Sequence, residues 1–244
     1  IEVLGLLQLV WFVFRLKPDL LHCASPKAVL YGGIAARLCG VPGLVLAISG
    51  FGYAFTEGSK PSLLRRFTRL VYKTISGFVF RHPNIRVIVQ NQDDYRDLLA
   101  KNMISSDKLV LIKGSGVNLS KFEGCNPIVK KDLIILPARM LKDKGVEEFV
   151  AAAKFVKVKA PHWRMVLVGA SGYDNPSVIK QTQLRSWHDS GDVEYLGHVE
   201  DMLPLFFEAA IVCLPSYREG MPKVLLEAAA AGCAVVTTDV TGCR

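Results

Sequence analysis

Two glutamates near the C-terminal end of the chain are the side chains best suited to chemistry. Glu219 lies in a turn after an apolar run (211–214), and Glu227 lies in a segment rich in Leu and Ala that predicts a helix over 224–231. A carboxylate among such apolar neighbours is costly unless it is paired or faces a cleft. Glu227 therefore either lines a binding site or forms an ion pair with Lys223, four residues earlier on the same helix face.

The turn around Glu219 passes directly into the predicted helix. Backbone N–H groups at Gly220 and Met221 begin that helix, where they can bind an anion or a hydroxyl oxygen. An ionised Glu219 only accepts hydrogen bonds, so it suits a ligand that carries hydroxyl groups. The turn predicts a site for a ligand with both anionic and hydroxyl groups.

A basic loop is the second group of residues that could do chemistry. Arg139, Lys142 and Lys144 follow an apolar run (133–136) and come just before a predicted helix over 146–158. Positive charge at a helix N-terminus is unfavourable to that helix, so a bound anion would explain these cations. The alternative is an ordinary solvated Lys/Asp loop.

Two further loops carry less specific signals. In Gly197-His198, the imidazole could act as a general base, but a capping or core role is equally open and we favour a non-catalytic one. The glycine-rich segment Gly50-Phe51-Gly52 could let the backbone approach a ligand, or it could simply make a turn.

Apolar runs alternate with helical patterns along the whole chain, joined by short loops. The predicted strands are 19–23, 43–48, 86–90, 109–113, 132–137, 165–168, 193–196, 211–214 and 234–238. The predicted helices are 1–16, 28–39, 63–80, 93–101, 146–158, 178–190, 202–210 and 224–231. This alternation of continuous apolar strands with helices is typical of parallel, doubly wound α/β sheets.

We expect two such sheets, because the pattern weakens over 119–131. This boundary divides the chain into domains at 1–120 and 121–244. Ligands of open α/β sheets bind beyond the carboxyl ends of the strands. The candidate loops all lie at such ends.

The charge of the chain favours an anionic partner. Its 244 residues carry a net charge of +8, which suits nucleotide phosphates, an anionic membrane or nucleic acid, although many soluble proteins are mildly basic. The positive charge is not interleaved with aromatic residues, which argues against nucleic acid. The six cysteines form no C-x-x-C pair, so we expect reduced thiols and neither disulfides nor a metal site.

Two helical segments bear on membrane contact. The apolar stretch 1–16 carries Glu2 and Arg15 and is shorter than the ~20 residues of a membrane span, so it predicts a buried helix. Helix 63–80 is cationic and amphipathic; it could lie on an anionic bilayer or present an ordinary solvated face.

The motifs, taken together and in this order, resemble the retaining glycosyltransferases of family 4. They are Arg-x-x-x-x-Lys-Gly (139–145), Gly-His-Val (197–199), Glu-Gly-x-Pro with a second Glu seven residues after the first, and Thr-Asp-Val-x-Gly-Cys-Arg (238–244). Gln90-Asn91 and residues 114–118 add to the resemblance in the first half. The resemblance implies the GT-B fold, in which two Rossmann-like domains face each other across a cleft. The N-terminal domain would lie on the acceptor side, and the C-terminal domain would bind the donor.

The resemblance also implies an activity and its site. Such an enzyme moves a sugar from a nucleotide donor, which we expect to be a UDP-sugar, to a glycan carried on a polyprenyl diphosphate in surface-polysaccharide synthesis. It would need no metal or other cofactor, and it would be cytoplasmic, either free or peripheral on the inner membrane through helix 63–80. The implied catalytic residues are Arg139, Lys144 and Glu219. The implied donor-binding residues are Arg139, Lys144, Gly197, His198, Glu219, Gly220, Met221, Pro222 and Glu227, and the implied acceptor-side residues are Gly50, Phe51 and Gly52.

Two other functions stay open, and one of them does so because the chain departs from the family pattern. The chain lacks the family's first strand with its Gly-rich loop and its final helix, so we expect a fragment truncated at both ends in which both domains are incomplete. The His that many members carry in the first domain is replaced here by the loop at Ser49. A non-catalytic nucleotide-sugar-binding subunit remains open, as does a nucleotide-sugar epimerase of the same architecture, which would want more acids and histidines in the cleft.

Overall fold

The computed structural model describes residues 2–50, 63–123, 129–172 and 175–244. The predicted acceptor-side residues Phe51 and Gly52 therefore lie outside the described residues. The chain forms two compact units, Ile1–Gly114 and Ser115–Arg244. The assignment of 1–120 and 121–244 to acceptor and donor roles stays a prediction.

The first unit is a parallel sheet with helices between its strands. Its strands pair in the order β1-β2-β3-β4: β1 (Leu20–Ala24), β2 (Gly43–Ile48), β3 (Ile85–Val89) and β4 (Leu109–Leu111). Its helices are α1 (Glu2–Leu16), α2 (Pro26–Cys39), α3 (Leu63–Phe80) and α4 (Gln92–Ala100). Alternate residues of β2 and β3 are almost fully buried in one apolar core.

Helix α2 shows how local sequence sets these elements. It begins at Pro26, whose fixed φ suits a first helical turn, and it ends at Gly40, which is left-handed at φ +63°. Within the helix, a Cβ on Gly33 would lie 2.3 Å from the Val79 side chain, so only glycine lets α3 approach this closely.

The prediction of a helix at the start of the chain is confirmed, but the prediction that this helix, α1, is buried is wrong. Val13 is buried, with Leu9 and Val10 packed beside it, whereas Trp11 is 57% exposed and Phe14 is 63% exposed. The helix therefore buries one face only. In the part of the chain that the structure describes, no helix is both long enough and apolar enough to cross a membrane.

The second unit is a parallel sheet of Rossmann type. Its strands pair in the order β7-β6-β5-β8-β9: β5 (Lys131–Pro137), β6 (Arg164–Val168), β7 (Glu194–Tyr195), β8 (Ala209–Leu214) and β9 (Ala234–Thr237). Its helices are α5 (Val146–Lys159), α6 (Gln181–Asp189), α7 (Leu203–Glu208) and α8 (Lys223–Ala230). The chain starts at the central strand β5, builds outward to β7, and then returns to the other side of β5. The order of strands reverses between β5 and β8, which is the switch point where such sheets bind ligands.

Helices cover both faces of this second sheet. One core joins Leu136 and Leu167 to Phe149 of α5 and Leu184 of α6, and the other joins Ile135 and Val212 to α7 and α8. The predicted doubly wound α/β class is thereby confirmed.

The predicted elements match the observed ones within three residues, and the largest differences come from tertiary contacts. Helix α6 begins at Gln181 instead of 178, because the backbone of Ile179 is drawn to Met140 through an N–H···O bond of 2.9 Å. Strand β8 begins at Ala209 instead of 211, because Ala209 already pairs with Lys131.

Candidate functional site

The loop that follows β5 ends in a tight turn beside the loop that follows β8. A short 3-10 turn over Lys142–Lys144 leads into Gly145, which is left-handed at φ +73° and precedes α5. A Cβ at Gly145 would lie 2.2 Å from the carbonyl oxygen of Pro215. Glycine is the residue that tolerates both this positive φ and this close contact. Its presence therefore allows the two loops to meet at the switch point.

Neighbouring loops hold the turn that carries Lys144. The backbone N–H of Lys142 donates to the carbonyl of Ser177 at 2.8 Å, and the Ser177 hydroxyl donates to the Asp143 carboxylate. On the other side, the N–H of Tyr217 donates to the carbonyl of Asp143 at 3.0 Å. The backbone next to Lys144 is thus fixed from two directions.

An ion pair at the switch point joins two of the predicted site residues. Lys144 Nζ lies 2.5 Å from Glu219 Oε1, and the two side chains are only 16% and 13% exposed. The Ser216 hydroxyl donates to the same oxygen at 2.6 Å, and Ser216 is fully buried. The sequence predicts Lys144 and Glu219 as separate ligand-binding residues, but neither their direct contact nor the part played by Ser216.

The loop after β9 contacts the backbone of Glu219 and of its neighbour Ser216. The N–H of Glu219 donates to the carbonyl of Thr241 at 2.9 Å, and the Thr238 hydroxyl donates to the carbonyl of Ser216. Gly242 is left-handed at φ +83°, and a Cβ there would lie 2.4 Å from the carbonyl oxygen of Glu219. The C-terminal motif is therefore a support for the candidate site, a role that its sequence did not reveal.

A cysteine thiol adjoins the ion pair. Burial raises the pKa of Cys243 above its usual 9.0, and the charge of Glu219 adds to this rise. Hydrogen bonds with Thr237 and Thr238 and the charge of Lys144 act in the opposite direction. The thiol is thus mainly protonated at neutral pH. Cys243 directly follows Gly242, which lies against the backbone of Glu219, so we expect its labelling to respond to a ligand at the pair.

Glu227 forms the ion pair that was the alternative to a ligand role. Lys223 Nζ lies 3.1 Å from Glu227 Oε1, and the glutamate side chain is 26% exposed. Helix α8 is only half-buried, with Ala228 as its one fully buried residue among those described, because Leu225 and Leu226 keep partial exposure. A contact from Glu227 to a ligand stays a prediction.

The structure distributes the remaining predicted residues around the same edge of the sheet. Arg139 is exposed just beyond β5, and His198 is exposed on the loop after β7. Gly197, at φ +71°, accepts a 2.7 Å hydrogen bond from the N–H of Gly169, which ties the loops after β7 and β6 together. The prediction that Gly220 and Met221 begin the helix is wrong, because Pro222 is extended and α8 begins at Lys223. In the turn before α8, Gly220 is buried, while Met221 and Pro222 are half-buried.

Two other predictions concern the first unit and metal ions. Gly50 follows β2 and has a φ of +132°, which is consistent with its place in a glycine-rich turn. Among the residues that the structure describes, no group of three or more His, Cys, Asp or Glu side chains is arranged to hold a metal ion.

Two parallel α/β sheets, the second with charged loops at its switch point, match the GT-B fold that the resemblance implies. Residues 131–244 match the family described as "Glycosyl transferases group 1", and residues 1–82 match the family described as "Glycosyl transferase 4-like". The chain therefore belongs to the glycosyltransferases of these families.

The chain is similar to curated enzymes of bacterial glycan synthesis. It is 34% identical to the N,N'-diacetylbacillosaminyl-diphospho-undecaprenol alpha-1,3-N-acetylgalactosaminyltransferase of Campylobacter jejuni, matching 94% of this chain and 61% of that enzyme. It is 25% identical to the UDP-Gal:alpha-D-GlcNAc-diphosphoundecaprenol alpha-1,3-galactosyltransferase of Escherichia coli, matching 99% of this chain and 63% of that enzyme. The chain thus spans less than two thirds of the length of these relatives.

Solved structures share the fold. Anabaena HepE in complex with UDP and glucose superimposes with a TM-score of 0.74 at 16% identity, over 97% of this chain and 63% of that one. Sucrose-phosphate synthase from Thermosynechococcus elongatus gives a TM-score of 0.73 at 19% identity, over 93% of this chain and 57% of that one.

Proposed function

We propose that the whole protein transfers a sugar from a nucleoside diphosphate donor, a UDP-sugar, to a hydroxyl of a glycan carried on a polyprenyl diphosphate. The names of the Campylobacter and Escherichia relatives support the lipid-linked acceptor, and the UDP bound to HepE supports the donor base. The observation that carries the proposal is the half-buried Lys144–Glu219 pair at the switch point of the second sheet.

In this proposal Lys144 and Arg139 bind the donor diphosphate. The bond between the sugar's anomeric carbon and the diphosphate oxygen breaks, and a new bond forms from that carbon to the acceptor hydroxyl on the same face. The acceptor's proton passes to the leaving phosphate oxygen. Negative charge on the diphosphate grows as its bond breaks, so the two cations stabilise the transition state more than the bound donor, without a divalent ion.

Glu219 binds the donor sugar in the same scheme. Its carboxylate accepts hydrogen bonds from sugar hydroxyls, while the backbone at Gly220 and Met221, in the turn before α8, binds a further oxygen. Lysine has three donors, so Lys144 can contact the diphosphate and Glu219 together. Glu227 binds the ribose, and the loop at His198 lies near the base.

The proposal includes peripheral contact with the cytoplasmic face of the inner membrane through α3. In the second half of this helix, Leu70 is 62% exposed and Lys73 is also exposed. Phe78 is exposed as well, and the Arg37 guanidinium lies 4.8 Å from the centre of its ring. A face of apolar and basic side chains suits an anionic bilayer. The whole protein should therefore float with phosphatidylglycerol vesicles and not with phosphatidylcholine vesicles, and Lys73→Glu should reduce flotation.

The transferase proposal is tested with the whole protein, UDP-sugars and an undecaprenyl-diphosphate-linked glycan, without added metal. Glu219→Gln and Lys144→Ala should each lower kcat/KM about 100-fold or more, because each removes an interaction at the developing charge or the donor sugar. Lys142→Ala removes an exposed cation from the same loop, one that pairs with Glu147 at 3.4 Å, and should change kcat/KM less than about threefold.

Three outcomes would count against this function. Wild-type turnover in Glu219→Gln or Lys144→Ala would remove that residue from the mechanism. Nucleotide-sugar binding by the wild type with no transfer to any lipid-linked glycan would favour a non-catalytic binding subunit. Conversion of a UDP-sugar to its epimer without transfer would favour the epimerase.

A further inference from the structure

Ser216 is fixed more firmly than any role in a turn requires. It is fully buried after Pro215, at the end of β8. Its carbonyl accepts a hydrogen bond from the Thr238 hydroxyl, and its own hydroxyl donates to Glu219 Oε1 at 2.6 Å. Thr238 thus holds the backbone of Ser216, and the buried Ser216 hydroxyl is directed at the Glu219 carboxylate.

Among the residues that the structure describes, two side chains donate to this carboxylate, and both contact the same oxygen. Lys144 Nζ and Ser216 Oγ both donate to Oε1, at 2.5 and 2.6 Å. Because both donors contact Oε1, they hold one end of the carboxylate and leave Oε2 to other partners. A carboxylate has about four acceptor sites on its two oxygens, so Oε2 has the capacity to accept from a ligand hydroxyl.

The two donors differ in how firmly they hold Glu219. Lysine has a flexible four-carbon stem, and its ammonium group is drawn toward any phosphate that enters the site. Serine has a single side-chain torsion, and the backbone of Ser216 is pinned by Thr238. When a diphosphate also engages Lys144, Ser216 keeps a contact to the carboxylate that does not depend on the ligand.

We infer that Ser216 is a positioning residue that orients Glu219 toward the hydroxyl groups of the donor sugar. It acts through Glu219 and does not itself contact the ligand. Its contribution is therefore to recognition of the sugar, and the nucleotide diphosphate binds with or without it. This inference rests on the proposed function, since it needs a nucleotide sugar in the site.

The experiment is isothermal titration of the whole protein with UDP, UDP-galactose and UDP-N-acetylgalactosamine, without metal. In Ser216→Ala, the Kd for UDP should change less than about twofold, whereas the Kd for the preferred UDP-sugar should rise about tenfold, the effect of losing one hydrogen bond to a charged group. Ser216→Thr retains the hydroxyl and should restore the Kd for the UDP-sugar to within about threefold of wild type.

Two comparisons isolate the route through Glu219. Thr237→Val removes a neighbouring hydroxyl, which donates to the carbonyl of Leu214 at 2.8 Å, and should leave both dissociation constants unchanged. Adding Ser216→Ala to Glu219→Gln should weaken binding of the UDP-sugar no further, because residues that act as one unit are not additive.

The outcomes separate this inference from the proposed function. If the wild type binds UDP and a UDP-sugar, and Ser216→Ala binds both with the wild-type Kd values, the positioning role is overturned. If Ser216→Ala weakens UDP and the UDP-sugar equally, Ser216 only supports the fold of the loop and the inference is again wrong. If the wild type binds neither ligand and transfers no sugar, the proposed function fails first, and the inference fails with it.

Discussion

Replacing Lys144 by Met should destabilise the second unit far more than the loss of an ordinary loop lysine. The substitution keeps most of the side-chain volume but leaves the Glu219 carboxylate without its cation. That carboxylate is only 13% exposed, and among the described residues the Ser216 hydroxyl, at 2.6 Å, is the side-chain donor that remains to it. The carboxylate then has one such hydrogen bond and little contact with water.

The size of the effect follows from the geometry of the pair. Breaking a fully buried ion pair costs ~3–5 kcal/mol, because the remaining charge is left uncompensated. The partial exposure of the pair and the bond from Ser216 both reduce this cost, so we expect a loss of about 2 kcal/mol. For a unit of this size, the loss corresponds to a fall of about 8 °C in Tm.

The assay is urea unfolding followed by tryptophan fluorescence. Trp163 and Trp187 lie in the second unit, and Trp11 can be replaced by Phe so that the signal reports on that unit alone. The matched control is Lys223→Met, which breaks the exposed Lys223–Glu227 pair and should cost about 0.5 kcal/mol or less.

A double-mutant cycle with Glu219→Met measures the pair itself. We expect a coupling energy of about 2 kcal/mol, so the double variant should be more stable than the sum of the two single losses predicts. A coupling energy below about 0.5 kcal/mol would refute the reasoning, as would a loss in Lys144→Met no larger than in Lys223→Met.

Three further predictions use other features of the second unit. Gly197→Ala should cost about 1–2 kcal/mol for its left-handed φ alone, whereas Gly145→Ala should cost about 2 kcal/mol more, because its Cβ would lie 2.2 Å from the carbonyl of Pro215; urea unfolding compares them. The guanidinium of Arg164 holds the pKa of the Glu194 carboxyl below its usual 4.5. The ionised carboxylate therefore stabilises the fold above pH 4.5, and this stabilisation is lost as the pH falls through the lowered pKa. The free energy of unfolding of wild type should exceed that of Glu194→Gln at neutral pH, and the difference should shrink in acid. Burial raises the pKa of the Cys243 thiol above 9.0, so iodoacetamide should label it slowly at pH 7.5 and faster as the pH rises toward 9.0. Bound UDP should slow the labelling further, and peptide mass spectrometry measures the rate.

Each of these predictions has a result that would contradict it. Equal losses in the two alanine variants would mean that the contact at Gly145 relaxes freely. A gap between wild type and Glu194→Gln that widens in acid would reverse the sign of that pair's contribution. Labelling of Cys243 at the rate of a free thiol, unaffected by UDP, would place its thiol away from the donor site.

Much of the candidate site could be predicted from the sequence, because its signals are local. Apolar runs mark strands, and the residues just after a strand lie at the ligand-binding edge, so Lys144 and Glu219 could be assigned to loops at such edges without coordinates. The glycine after Lys144 and the helix after Glu219 are local signals too. The order of these motifs along the chain also carried the family resemblance, which the family matches support.

Only the tertiary structure decided which of these loops meet. Lys144 and Glu219 are 75 residues apart, and they touch because β8 pairs with β5 on the side opposite β6. The sequence pattern shows that strands alternate with helices, but not the order in which the strands pair, because every strand presents a similar apolar run to its neighbours. The role of Ser216 could not be predicted from the sequence for the same reason. A serine after a strand is common, and its proposed positioning role depends on the Glu219 carboxylate, which the folded sheet places 2.6 Å from its hydroxyl.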